Sequence, residues 1–275
     1  MTMKKAILVV SFGTTYLDTL KLNIAAIEDK IRDSFSDFEI RRAFTSRMVI
    51  RKLAERDGLH VDTEEQALEK LLAEGYAEVY VQPLHVVAGE EYGKIERLVA
   101  RYAHNRTFAK IKIGRPLLYY MGQEDQPDDY LEVLAAIAGQ LPPLGNEDAL
   151  VFMGHGGTHP ANAAYAALQL KFAEAGLERA FVYTVEGFPA LESVTEKLRE
   201  NNIRNVLLVP FMLVAGDHAK NDMAGDDDES AKSQLKQAGF HVDVVLKGLG
   251  ENRAIQDIYI RHLRDAISGK NCHKH

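Results

Sequence analysis

Two stretches decide the fold: Pro83-Leu-His-Val-Val-Ala-Gly-Glu-Glu91 and Pro210-Phe-Met-Leu-Val-Ala-Gly-Asp-His218. They align without a gap and share the proline, Val-Ala-Gly and the acidic residue after it. A second pair agrees with them: Ile7-Leu-Val-Val-Ser-Phe-Gly13 parallels Leu150-Val-Phe-Met-Gly-His-Gly156. Apolar strands and glycine turns are common to all β-α units, but matches of this length indicate an internal duplication. The join falls near 140–147 (QLPPLGNE), a Pro/Gly linker. The expected division is an N-terminal lobe over 1–143, a C-terminal lobe over 144–270 and a tail over 271–275.

Working outward, short apolar runs alternate with helical patterns. Strands are predicted at 5–11, 38–44, 78–83, 110–117, 148–153, 179–185, 205–210 and 241–247. Their Val/Ile/Leu density suits strands buried on both faces of a parallel sheet. Over 17–35 the residues Leu17, Leu20, Ile24, Ile27, Ile31 and Phe35 recur at helical spacing. Thr63-Glu-Glu-Gln66 reads as a capping box, opening a helix that Gly75 closes. Pro160 and Pro189 fit first helical turns, and Gly176 and Gly239 fit helix ends. Repeated β-α units with right-handed crossovers give an α/β fold. The expectation is two similar lobes, each a four-stranded parallel sheet flanked by helices, with a cleft between them.

Composition narrows the function. The chain has 275 residues, 46% hydrophobic and 27% charged, as ordinary globular proteins do. Its net charge of -7 gives no support to a nucleic-acid or anionic-membrane partner. An anionic substrate would need a local basic patch. The one cysteine, Cys272, excludes an intrachain disulfide or a cysteine metal site. Met1-Thr-Met-Lys-Lys leads into an apolar run too short for a signal-peptide core, and no stretch could span a bilayer, so the expected location is cytoplasmic. The tail Asn271-Cys-His-Lys-His275 reads as a frayed end, with loose metal binding as the alternative.

In an open parallel sheet, ligands bind beyond the carboxyl ends of the strands. Three strands of the second lobe deliver Gly154-His155-Gly156-Gly157-Thr158-His159, Thr184-Val185-Glu186-Gly187 and Val214-Ala215-Gly216-Asp217-His218 there. Two imidazoles and a carboxylate suit a borderline first-row cation and leave positions open for a substrate. Each has a plainer alternative: a turn histidine for His155, a helix-start carboxylate for Glu186, an exposed loop residue for His218. Their common edge favours the site. His159 reads as a helix-start residue, since no His-Glu-x-x-His motif accompanies it.

The first lobe offers Ser11, Phe12, Gly13, Thr14 and Thr15, then Thr45-Ser46-Arg47, and His85 with Glu90 and Glu91. A satisfied core histidine is the rival for His85. Arg47 could meet substrate carboxylates, whereas Arg51 and Lys52 read as a solvated helix face. Asp226-Asp227-Asp228 reads as a solvated loop rather than a feeder of cations. Gly-x-Ser-x-Gly, Walker A and Gly-x-Gly-x-x-Gly motifs are absent. A histidine phosphatase would carry arginine directly before its turn histidine, and here Gly154 stands there.

At these residues the sequence resembles the class II chelatases, within them the sirohydrochlorin cobaltochelatases of the anaerobic cobalamin route. The likeness runs through Val10-Ser-Phe-Gly-Thr-Thr15, Ala43-Phe-Thr-Ser46, Gln82-Pro-Leu-His-Val86, Met153-Gly-His-Gly156, His159-Pro-Ala-Asn162, Thr184-Val-Glu-Gly187 and Pro210 to His218. It covers nearly the whole chain. The resemblance implies a lyase that inserts Co²⁺ into sirohydrochlorin or precorrin-2 in cobalamin biosynthesis. It implies metal ligands at His155, Glu186 and His218, with His155 and Glu186 also catalytic. Ser11, Phe12, Gly13, Thr14, Arg47, His85, Gly156, Gly157 and Thr158 are the expected substrate contacts. Gly157 departs from the family turn, which often carries threonine there. No organic cofactor is implied; the metal is a substrate, and Fe²⁺ or Ni²⁺ are alternatives to Co²⁺. The rival functions are a ferrochelatase making sirohaem and a non-catalytic metal or tetrapyrrole carrier. His104, on a helix surface, is the candidate axial ligand of such a carrier, with a solvated histidine as the plainer alternative. The expected partners are the tetrapyrrole and the metal, with neither nucleic acid nor membrane, and self-association is left open.

Overall fold

The structure, a computed structural model, describes residues 3–270. The tail expected at 271–275, with Cys272, lies outside the described residues. Two four-stranded sheets form the frame. The first holds β1 (Lys4–Ser11), β2 (Glu39–Phe44), β3 (Tyr76–Pro83) and β4 (Lys110–Ile113) in the order β2-β1-β3-β4. The second holds β5 (Asp148–Gly154), β6 (Ala180–Thr184), β7 (Asn205–Pro210) and β8 (His241–Val244) in the order β6-β5-β7-β8. Every pairing is parallel.

The two sheets repeat each other in register as well as in order. Val10 pairs with Ala43 on one side and Pro83 on the other; Met153 pairs with Tyr183 and Pro210. The amides of Leu84 and Phe211 donate to the Val10 and Met153 carbonyls, each at 2.7 Å. Three residues beyond that shared point stand Gly13 and Gly156, with φ of +91° and +80°. A Cβ on Gly13 would lie 2.7 Å from the Phe44 ring, and one on Gly156 would lie 2.6 Å from the Thr184 Cβ. Both turns therefore require glycine, for the left-handed backbone and for the space.

Several details differ from the sequence expectation. Strand β4 ends at Ile113 rather than 117: the Gly114 amide still donates to the Val81 carbonyl at 2.8 Å, but Pro116 has no N–H to continue the ladder. Strand β8 ends at Val244 rather than 247. Pro189 precedes the N-cap Ala190 of helix Leu191–Glu200 instead of lying in its first turn. The helical pattern over 17–35 is realised as Leu17–Thr19 and Ala26–Ser34 with a π-helical stretch, Leu20–Ala25, between them.

The last helix, Arg253–Ser268, packs on β3, β4 and the helices Ala26–Ser34 and Asp129–Ala138. It thus leaves its own half of the sequence and covers the first sheet. Helix Asp129–Ala138 in turn packs on helix Ala163–Glu174 of the second half. One core consequently runs through both halves, joining Ile7, Val9 and Tyr80 to Leu150 and Phe152 through Tyr130, Tyr259 and Leu263. Separate clusters cover the outer face of each sheet. Asp129, with no solvent exposure, accepts from Arg115 Nε at 3.0 Å and from the Tyr120 amide at 3.0 Å, and meets His262 Nε2 at 3.2 Å. Arg115 also donates to Asp265 of the last helix at 2.6 Å. Burial alone would push the Asp129 carboxyl up, but His262 and Arg115 hold it below its ordinary value. Breaking a buried pair strands the remaining charge. Asp129→Ala is expected to lose about 3–5 kcal/mol in urea unfolding; a loss under about 1 kcal/mol would show that water already reaches Arg115.

Candidate metal centre

The site begins with main-chain hydrogen bonds. Beyond the β5–β6 ladder, the Val185 amide donates to the Gly154 carbonyl at 3.1 Å and the Glu186 amide to the His155 carbonyl at 2.9 Å. This continued pairing sets Glu186 beside His155. On the other flank of β5, β7 leads through Val214–Asp217 to His218, which opens a π-helical turn, Ala219–Met223. The three side chains converge: one ligand atom from each of His155, Glu186 and His218 lies within 4.8 Å of the others. Among the described residues this is the one such group of three or more. The two imidazoles stand edge to face, centroids 4.8 Å apart.

Both imidazoles are oriented through Nδ1. In His155 it lies 3.1 Å from the Gly156 carbonyl, and in His218 it lies 2.7 Å from Asp222 Oδ2. With Nδ1–H as donor in each, the Nε2 lone pair is the one left for a cation. Asp222 is a functional candidate that sequence reasoning passed over. Its signal was present, an acid four residues after a candidate ligand histidine. The ligand atoms lie within 4.8 Å of one another, against the roughly 3.4 Å between donors of a tetrahedral ion with bonds of about 2.1 Å. The exposed side chains of His155 and Glu186 can close that gap by rotation.

The opposite turns place the remaining residues. Thr14 is buried, with Oγ1 accepting from the Tyr16 amide at 3.2 Å, whereas Phe12 presents its ring to solvent at 48% exposure. Arg47 is exposed and is the first residue of helix Arg47–Asp57, whose N-cap is Ser46. A cation there opposes the helix dipole, which argues against a purely local role. Thr158 and His159 are exposed, and His159 Nδ1 accepts from the Ala161 amide at 3.1 Å, so it caps a short turn as expected. Arg51, Lys52, His104 and Asp226–Asp228 are exposed. The hollows beside Arg115 and Asp265, at the last helix, contain none of the triad.

His85 lies two residues past the end of β3. Its ring nitrogens and Ser11 Oγ are enclosed, with no hydrogen-bond partner among the described residues. Burial pushes its imidazole down to about 4, against the opposing pull of the nearby Glu91 carboxylate. For Glu91 itself burial acts upward, but Lys94, Thr45 and His85 together hold the carboxyl below its ordinary value. His85 is therefore neutral at pH 7, able to donate through one nitrogen and accept through the other.

Two duplicated α/β lobes, with three converging potential ligands at the strand ends of one of them, define a chelatase type of architecture. Residues 5–268 match the family described as cobalt chelatase (CbiK), and the chain belongs to that family. It is a metal chelatase. A sirohydrochlorin cobaltochelatase from Salmonella typhimurium is 44% identical over 266 residues, covering 97% of each chain. Sirohydrochlorin cobaltochelatase CbiKC from Nitratidesulfovibrio vulgaris is 34% identical over 269 residues, covering 96% of this chain and 91% of that one. Among solved structures, SirB from Bacillus subtilis with Fe³⁺ superposes with a TM-score of 0.64 at 18% identity over 98% of both chains. CbiX, described as the terminal enzyme of sirohaem biosynthesis in denitrifying bacteria, gives 0.53 at 20% identity, over 95% of this chain and 99% of that one. At such identities the two structures support the fold.

The His85 environment makes a measurable demand on stability. The folded protein takes up this proton near 4, whereas the unfolded chain does so near the ordinary 6.5. Between those values the unfolded state binds more protons, so the contribution is complete above about pH 6.5 and is lost as pH falls towards 4. Urea melts at pH 7 and pH 4.5 should show a loss smaller by on the order of 1–3 kcal/mol in His85→Gln than in wild type. Equal losses would mean that water reaches the imidazole.

Proposed function

We propose that the protein inserts Co²⁺ into sirohydrochlorin, or precorrin-2, as a cytoplasmic lyase of cobalamin biosynthesis. The convergence of His155, Glu186 and His218 within 4.8 Å on three strand-end turns carries the proposal. The relatives named sirohydrochlorin cobaltochelatase support the choice of metal and ring. No helix among the described residues is long and apolar enough to cross a membrane.

In this account Co²⁺ arrives as a substrate and is held by Nε2 of His155, Nε2 of His218 and a carboxylate oxygen of Glu186. Three protein ligands leave the other positions to water and then to pyrrole nitrogens. As ring nitrogens replace the protein ligands, two pyrrole N–H protons must leave. The freed Nε2 of His155 takes one and Glu186 takes the other, each a base within reach of the reacting ring. Neither oxidation nor a nucleotide enters the balance, and the proposal needs no organic cofactor. Fe²⁺ and Ni²⁺ suit the same donors, because neighbouring ions of the Irving–Williams order differ little at one site.

The tetrapyrrole brings an apolar ring and many carboxylates. Phe12 offers an exposed aromatic face for the ring. Arg47, with the backbone donors of Ser11–Thr14 and Gly156–Thr158, offers hydrogen bonds to the carboxylates. Neutral His85 can donate and accept towards a ring substituent once its enclosed nitrogens are turned to the cleft. A Cβ on Gly157 would meet nothing within 4 Å, but its φ of +143° is a backbone that a threonine would adopt only under strain.

The test is the initial rate of Co²⁺-sirohydrochlorin formation, with spontaneous insertion subtracted. His155→Ala should lower kcat on the order of a hundredfold or more while tetrapyrrole affinity persists. Near-normal turnover in that variant would sink the assignment. Arg47→Ala should raise the tetrapyrrole KM roughly tenfold at low salt, the worth of one charge-assisted hydrogen bond. An unchanged KM would remove Arg47 from the substrate contacts.

A further inference from the structure

The turn after β1 and the turn after β7 meet across the two lobes. A Cβ on Gly216 would stand 3.7 Å from Thr14 Oγ1. The Tyr16 hydroxyl donates to Asp217 Oδ1 at 3.1 Å. Asn221 Nδ2 donates to the same oxygen, also at 3.1 Å. Lys220 Nζ lies 3.7 Å from the centre of the Tyr16 ring and 4.0 Å from the Asp18 carboxylate. Asp217 and Lys220 bracket His218 in the chain. The segment that presents this imidazole is thus gripped on both sides by the opposite lobe.

The grip matters because of what carries His218. Ala219–Met223 is a five-residue π-helical turn, too short to hold its shape by its own hydrogen bonds. His155 and Glu186 are joined directly by main chain within their own sheet. His218 is joined to them through β7, the turn after it and the packing of Ala215, Ala219 and Met223 into the core of its own lobe. That packing holds one face of the turn, and the face towards the N-terminal lobe is held by Tyr16. An ammonium over an aromatic face and a phenol donating to a carboxylate are directional contacts suited to that task.

We propose that Tyr16 and Lys220 are positioning residues for His218, setting from the N-terminal lobe its distance to the His155–Glu186 pair. They touch neither the metal nor the ring. Their influence passes through Asp217 and the first turn of the π-helical segment. Because Tyr16 comes directly after the turn expected to meet the tetrapyrrole, ring binding and ligand spacing share one piece of backbone. The proposal rests on the triad being the Co²⁺ ligands.

The experiment titrates Co²⁺ alone into the full chain and monitors the visible absorption of the bound ion. Tyr16→Phe removes only the hydroxyl, and Lys220→Met keeps the stem and removes the charge. Each should weaken Co²⁺ binding roughly three- to tenfold and alter the absorption band. In insertion assays kcat should fall while the tetrapyrrole KM stays within about twofold, as expected when only the reacting geometry is disturbed. Thermal midpoints should stay near wild type, so that altered spectra report geometry rather than unfolding. Wild-type affinity and spectrum in both variants would overturn the proposal. So would a raised KM with intact kcat, which would make Tyr16 a substrate contact. His155→Ala separates the two levels. If it keeps the wild-type Co²⁺ band, the triad assignment fails whatever the Tyr16 and Lys220 variants do.

Discussion

The hydrogen bond from the Glu186 amide to the His155 carbonyl, 2.9 Å long, is the contact on which the candidate site depends. It carries the β5–β6 pairing beyond the regular strands and keeps two potential ligands side by side. Directly after it Gly156 turns the chain with positive φ, where a Cβ would strike Thr184. The third ligand is brought in because β5 is an inner strand. Its neighbours β6 and β7 each bring one more side chain to the edge where β5 ends. The first lobe has the same inner strand, the same neighbours and the same glycine, yet other side chains. By register and alignment Phe12 stands in the place of His155, Ser46 in that of Glu186 and Glu91 in that of His218. One duplicated frame thus offers an edge of candidate cation ligands on one side and an apolar and polar face on the other. A flat, carboxylate-rich ring held between a metal and a supporting surface needs that asymmetry.

The relation between the lobes is set elsewhere. Helix Arg253–Ser268 crosses to the first sheet, and helix Asp129–Ala138 lies against the second half. Their exchange merges the inner faces of both sheets into one core, sealed by the Arg115–Asp129–His262 network. Tyr259 adds a hydrogen bond from its hydroxyl to the Leu84 carbonyl at 3.0 Å, directly before His85. The helix that closes the chain therefore also steadies the strand end that presents the buried histidine. Such a core resists free hinging of the lobes. The cross-lobe contacts of Tyr16 and Lys220 then act on a cleft whose walls are already nearly fixed.

Much of this was legible in the residues. The paired motifs ending at Glu91 and His218 indicate duplication, and the two sheets repeat in order and register. His155, Glu186 and His218 were legible because parallel strands bring the turns at their carboxyl ends to a common edge. The ends of β4 and β8 were less so: the sequence expectation carries β4 through Gly114 and Pro116 to Leu117, and Val245-Leu246 extends the apolar run past the end of β8. The exchange of the two helices leaves no mark in periodicity: an amphipathic helix shows which face it buries, not which sheet receives it. The enclosure of the His85 nitrogens and the reach of Tyr16 to Asp217 depend on packing between segments far apart in the chain. Asp222 is different, because its spacing from His218 was visible and only the geometry of the turn gave it meaning.

The account stands on two imidazoles and one carboxylate holding the same ion. X-ray absorption at the cobalt edge of the Co²⁺-loaded protein, without tetrapyrrole, tests this directly. The account predicts two imidazole shells and a carboxylate oxygen at about 2.0–2.2 Å, with one imidazole shell lost in His155→Ala and one in His218→Ala. A spectrum fitted by oxygen donors alone, unchanged in both variants, would contradict it.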